Sequence, residues 1–365
     1  MGSEHDSKPK TSSSPVASGS PPPVTTLSGQ DPGETRRSPA DDEDQQPEEH
    51  APLQVDEDEI AGDDADSTYG SDRGSVYTAS ATSSIYDYQY ENGRRYHAFR
   101  EGQYVLPNDD QEQQRLDLQH HIWRLLLGGA LHTAPLPNPD SPDEYRILDL
   151  GCGTGIWAIE MADEYPNATV AGVDLSPIQP DWVPGNCMFH VDDYEDEWTY
   201  RESEKFNYIH GRALSGTSAD WIRFYKQALN NLKPGGSWRC RSMMRGSSAM
   251  TIVAIGRRGR WSGLISLMRR WMIDAGFEDV VERVYRIPIG PWAKGPTLKE
   301  LGKFELTHMQ MSVESHTPAL FTRVWNYSHD QVMVLMEGVK REFRSRELRL
   351  ITSYRFITGR KPAEA

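Results

Sequence analysis

The apolar positions of this chain fall into short runs separated by stretches of helical period. Ile147, Leu148 and Leu150 make a run of the kind a strand buried on both faces carries. Glycine then takes every second position, at Gly151, Gly153 and Gly155, and a helix-compatible run follows from Ile156 to Glu164. Ala168–Val173, Met188–Val191 and Phe206–Arg212 read as further strands. Between and after them come helical patterns. Asp220–Leu232 places Trp221, Phe224, Tyr225, Ala228, Leu229 and Leu232 on one face and stops at Lys233-Pro234-Gly235-Gly236. Leu264, Leu267, Met268, Trp271, Met272 and Ala275 make another face, ended by Gly276. Phe277–Ile289 alternates as a strand, Thr297–Val313 and Ser328–Arg346 read as helices, and Leu350–Gly359 as a last strand. Upstream, Arg115–Leu127 has helical period through Leu116, Leu118, His121, Ile122 and Leu125. Strands alternating with helices predict an α/β fold with a mostly parallel sheet and helices on both faces.

Chemistry enters at the ends of the strands. Strand, glycine turn and helix together bring backbone close to a ligand at a helix N-terminus. The spacing is not the dinucleotide G-x-G-x-x-G, since the third glycine comes one residue early. Asp149 stands two residues before the first glycine, and this D-x-G-x-G-x-G pattern resembles motif I of class I S-adenosylmethionine (SAM) methyltransferases. An acid-edged glycine turn suits an ammonium and a sulfonium better than two phosphates. The second strand ends in Asp174, with Leu175 after it, where a carboxylate can accept both hydroxyls of a ribose. It could equally cap a helix, because Ser176 and Pro177 follow. The third strand ends in Asp192 and Asp193, and in the methyltransferases the acid at this place meets the adenine. Trp182 and Trp198 bracket that segment, with core packing the plainer role for both.

Composition narrows the rest. The chain has 365 residues and a formal net charge of −15, which argues against a general nucleic-acid binder. Cys152, Cys187 and Cys240 form no C-x-x-C pair, so neither a disulfide scaffold nor a zinc site is expected, and no metal ligand set stands out. Cys152, inside the glycine turn, reads as a small packing residue. No apolar run reaches membrane-spanning length and no secretory signal opens the chain. Residues 1–84 are rich in Ser, Pro, Asp and Glu and are expected to be a disordered acidic tail.

From Ile85 onward aromatic residues return. ENGRRYHAF, YVLPNDDQEQQRLDLQHHIW and GCGTGIWAIEMADEYPNATVAGVDLSPIQPDWVPGN are very similar to fungal LaeA-like methyltransferases, over about Tyr90–Pro362. The resemblance implies a Rossmann-like class I methyltransferase with a seven-stranded sheet. It implies an N-terminal strap over 85–144, a methyltransferase domain over 145–365 and a helical cap over 297–346. It places Tyr96, Tyr104 and His121 near the cofactor, and His210 and Arg212 on the acceptor side. Trp292 and Phe304 line that side or simply pack. The implied activity is methyl transfer from SAM to a protein or secondary metabolite. The alternative is a regulatory protein in a transcriptional complex that keeps the fold with little catalysis, in the nucleus or cytoplasm, without direct nucleic-acid or membrane contact. One stretch departs from the family. Ser237–Arg260 is basic and irregular where an apolar, acid-bearing fifth strand belongs. The expectation is therefore a shifted reading frame or a mis-spliced segment there, or, with these residues as written, an altered fifth strand.

Overall fold

The structure, a computed structural model, describes residues 86–99, 104–141, 144–214, 220–243 and 261–363, with single positions at 53 and 218. All fall in one unit, Gln46–Ala365. The expected tail over 1–84 lies outside the described residues, Leu53 apart.

A hairpin opens the described chain, β1 (Gln89–Glu91) and β2 (Arg94–Tyr96), and α1 (Asp110–Leu126) follows. Asp109 caps α1 by accepting from the Glu112 N–H at 3.0 Å. The sheet strands are β3 (Tyr145–Leu150), β4 (Ala168–Asp174), β5 (Cys187–Val191), β6 (Phe206–Arg212), β7 (Leu232–Met243), β8 (Glu278–Pro288) and β9 (Ile351–Arg360). Between them lie α2 (Ile156–Glu164), α3 (Trp221–Asn231), α4 (Trp261–Ala275), α5 (Pro296–His316), α6 (Pro318–Trp325) and α7 (His329–Phe343). The seven strands run in the order β5-β4-β3-β6-β7-β9-β8. The first five are parallel, and β9 is antiparallel to both β7 and β8. The expected seven-stranded, mostly parallel sheet is therefore present, and its order reverses at β3. A ligand crevice belongs beyond the strand tips at such a switch point.

Period two on the strands sorts side chains between two cores. Leu148, Leu150 and Ile209 face α3 and α4, joined there by Phe224, Trp238 and Met272. Ile147, Val170 and Tyr208 face α2, with Trp157 and Met161. A third core fills the cap, where Met309, Phe321, Val332 and Met336 tie α5, α6 and α7 together. The fourth lies where α1 and α5 cover β8 and β9, through Ile122, Trp123, Leu301, Tyr354 and Phe356.

The residues as written form a fifth strand: in β7, Ser237–Arg241 pair with β6 and Ser237–Met243 with β9. Backbone pairing on both sides suffices for the strand, and Trp238 anchors it in the core, fully buried. Residues 244–260 lie outside the described residues. Helix α6, begun by Pro318 at its first turn, lies within the expected cap over 297–346, between the two helices read from periodicity.

Candidate functional site

The glycine turn joins β3 to α2. Gly151, Gly153 and Gly155 have φ of 60°, 59° and 77°, a left-handed conformation that costs side-chain-bearing residues energy. The neighbours are equally close. A methyl on Gly151 would lie 2.8 Å from Leu214 Cδ2, and one on Gly155 would lie 2.5 Å from Phe189 Cζ. The turn is held from below by Gln179, whose Nε2 donates to the carbonyls of Gly153 at 2.7 Å and Ser176 at 3.0 Å.

Asp174 stands at the tip of β4. It accepts from the Gly153 N–H at 2.8 Å and the Ser176 N–H at 2.9 Å. Burial raises its pKa, and the backbone donors at Ser176, Gly153 and Leu175 oppose that rise. A carboxylate offers about four lone-pair directions, so these donors leave room for a further hydroxyl. On the next strand, the Asp192 N–H donates to the Asp174 carbonyl at 3.0 Å, which sets the two acidic tips side by side. The Asp192 side chain is exposed and accepts from the Asp193 N–H at 2.8 Å; Asp193 is buried and accepts from the Glu195 N–H at 2.8 Å.

The N-terminal segment closes over this turn. Thr154 Oγ1 donates to Asp117 of α1 at 2.7 Å, and Asn108 Nδ2 donates to Ser176 Oγ at 3.2 Å. Leu116 would lie 3.2 Å from a methyl on Gly153. Tyr104 stands near Asp174: burial raises the phenol's pKa, and the Asp174 charge adds to the rise. This set fits an adenosyl group: a turn with three left-handed glycines, a carboxylate at a strand tip, and a second acidic tip beside it. Gly151, Gly153, Gly155, Asp174, Leu175, Asp192, Asp193 and Tyr104 thus stand around one place.

Asp149 does not. Its side chain is wholly buried and accepts from His210 Nδ1 at 2.7 Å, while the His210 ring stacks on Trp157 at 3.6 Å. Period two turns both side chains toward the α2 face, wholly inside the fold. Arg212 is also inside. Its Nη1 donates to His120 Nδ1 at 2.7 Å, and His120 Nε2 then donates to Glu160 at 3.0 Å. That bond and Arg124 hold the Glu160 carboxyl below its ordinary range. His121 points outward, packing edge-on against Phe304 at 4.7 Å. The helical turn brings His120, not its neighbour, to the interior. Tyr96 is buried beside Arg323, whose guanidinium lies 4.9 Å over its ring, rather than at Asp174. Trp182 is 93% exposed, Trp198 packs edge-on with Phe224, and Trp292 donates to the Leu350 carbonyl. Cys152 is buried, and burial beside Asp174 and Asp149 pushes its thiol well up, as a packing residue requires.

A second buried network ties α1 to the cap. Arg115 donates to both oxygens of Glu112, at 2.9 and 2.7 Å, and its Nη1 donates to His308 Nε2 at 2.9 Å. Tyr354 Oη donates to Glu305 at 2.8 Å. Arg94 of the hairpin forks onto Asp109 at 2.6 and 2.8 Å and reaches the Glu314 carbonyl at 2.9 Å. Apolar periodicity missed Asn108, Asp117, His120 and Gln179. The one available signal was polar: Glu112, Arg115 and Gln119 repeat at helical spacing on the face of α1 that is buried.

Among the described residues no cluster could hold a metal ion, and no helix is long and apolar enough to cross a membrane. A methyltransferase domain family matches residues 95–280, half of the chain. Methyltransferase pytC of Aspergillus terreus is 37% identical over 300 residues, covering 78% of this chain and 91% of that one. The secondary metabolism regulator LAE1 of Cochliobolus heterostrophus is 36% identical, covering 75% and 95%. The protein-methionine methyltransferase laeA of Emericella nidulans is 33% identical, covering 74% and 76%. The chain belongs to the methyltransferase domain family and, within it, to the LaeA-like group of SAM-dependent methyltransferases.

Proposed function

We propose that SAM lies on the glycine turn with its ribose on Asp174 and its adenine beside Asp192 and Asp193, under a strap formed by Tyr104, Asn108 and α1. The cofactor supplies an electrophilic methyl group; the protein supplies orientation and the exclusion of water. Gly151, Gly153 and Gly155 let backbone approach, and Leu175 continues the wall after Asp174. Asp149 and His210 hold the turn's shape from beneath. The observation that carries this reading is Asp174, a mostly buried carboxylate at a strand tip, fixed by backbone N–H groups that include those of Gly153 and Ser176. Calorimetric titration of SAM into wild type, Asp174→Asn and Asp174→Ala tests it. Loss of charge-assisted bonds to a diol weakens binding by about tenfold or more. Equal affinity in all three removes Asp174 from the site.

A second reading concerns what the methylation serves. The relative matched over 95% of its length is named a secondary metabolism regulator, which supports a part in a regulatory complex. Replacing the chromosomal copy with Asp174→Ala separates the two. If metabolite profiles stay as in wild type while deletion changes them, the regulatory part does not need methyl transfer.

A further inference from the structure

A cavity of about 340 Å³ opens between the N-terminal hairpin and α6. Its walls include Tyr90, Tyr96, His97, Tyr104 and the ion pair of Glu91 with Arg323 at 2.6 Å. The volume is that of a small-molecule site. Tyr96 and His97 are 2% and 3% exposed. Among the described residues, neither Tyr96 Oη nor either ring nitrogen of His97 has a hydrogen-bond partner. Buried polar atoms in that state are rare in folded proteins, and each asks for a partner. Burial, then Arg323, hold the imidazole below its ordinary pKa, so the ring is neutral at pH 7 with one N–H and one bare nitrogen. Burial and Glu91 push the Tyr96 phenol up to about 12, so it keeps its proton.

Resting on the placement of SAM at Asp174, we propose that this cavity binds the methyl acceptor, and that the acceptor is a neutral hydroxylated aromatic held by hydrogen bonds to Tyr96 and His97. Position supports it. Tyr104 lines the cavity, stands 5.7 Å edge-on from the His97 ring and feels the Asp174 charge, so one side chain separates the cavity from the cofactor's place. Chemistry sets the class. The cavity's carboxylate and guanidinium neutralise each other, so it selects no net charge. Tyrosine rings offer stacking faces to a flat ligand. A hydroxyl both donates and accepts, as the neutral imidazole and the phenol require, whereas a thioether has no proton to give.

The test titrates β-naphthol and its methyl ether into the full chain by calorimetry, with N-acetylmethionine amide as competitor and S-adenosylhomocysteine in a separate titration. β-Naphthol is expected to bind one per chain, and about tenfold more tightly than the ether. Tyr96→Phe, which keeps the ring, weakens it about fivefold, and His97→Leu weakens it at least as much. Affinity for S-adenosylhomocysteine is unchanged in both variants. No binding of β-naphthol, equal binding of the ether, or a folded Tyr96→Phe that binds like wild type overturns the proposal. Displacement by N-acetylmethionine amide assigns the cavity to a thioether and also overturns it. If both variants unfold in thermal melts, the wild-type comparison of alcohol with ether decides. Failure of wild type to bind S-adenosylhomocysteine would refute the cofactor placement instead.

Discussion

Gly155→Ala is the sharpest test of how the glycine turn is built. At φ 77° the added methyl meets a left-handed backbone, which costs about 1–2 kcal/mol. It would also lie 2.5 and 2.9 Å from two atoms of the Phe189 ring and 3.2 Å from Gln179 Cγ. The ring also lies against Gly172, 2.6 Å from the place a methyl there would take. Overpacking of this kind costs about 1–3 kcal/mol. Together the terms predict a loss of about 2–5 kcal/mol, read as a drop in urea midpoint at constant slope. Phe189→Leu alone should cost about 1 kcal/mol. In the double variant the clash is relieved and only the backbone term and the smaller side chain's cost remain, so the two losses fall short of adding by about 1 kcal/mol or more. A single variant that loses less than about 1 kcal/mol, or two losses that simply sum, would refute the claim that Phe189 enforces glycine here.

Other perturbations reach the buried networks. Asp149→Ala removes the acceptor of His210 and should cost about 2–4 kcal/mol in urea unfolding, while Asp149→Asn, which still offers a carbonyl oxygen, recovers most of it. Arg115→Ala leaves Glu112 charged and buried, for a loss of about 3–5 kcal/mol by the same measurement; Arg115→Met should lose less than Arg115→Ala, because it refills the volume. His316 has its pKa lowered from 6.5 to about 4 by burial and then by Arg115. The unfolded chain takes up a proton there before the folded one, so stability present above pH 6.5 is lost as pH falls toward 4, by about 3 kcal/mol. His316→Gln should flatten that part of the stability–pH profile, and an unchanged profile would show that another group sets it.

The parts of this chain that alternate simply were legible before any coordinates. Apolar runs at Ile147–Leu150, Ala168–Val173 and Phe206–Arg212 and the glycine spacing place the turn and its neighbouring acids correctly. Strand ends carry that information because sheet topology brings their tips together whatever the side chains are. Side-chain direction was not legible. Asp149 looked like a ligand contact because it precedes the turn, but its position on β3 points it at His210, sixty-one residues later. His120 and His121 differ by one residue and hence by about 100° of helix, which apolar period alone could not resolve beside Arg212. β7 shows the opposite case: an unpromising basic sequence takes the strand because neighbours on both sides offer backbone partners.

The two-sided grip on α1 bears on how the chain is made. This helix leaves the ribosome early, yet groups that bond its inward side chains, Glu160, Arg212 and His308, arrive only as synthesis proceeds, the last nearly two hundred residues later. A growing chain therefore holds a helix with Glu112, Arg115 and Gln119 on the side meant for the interior. Such a face stays in water until its counterparts exist, so final docking falls after translation of the cap. Any shortened product that stops before α5 would keep the α2 side of this grip and lack the cap side, where His308 meets Arg115.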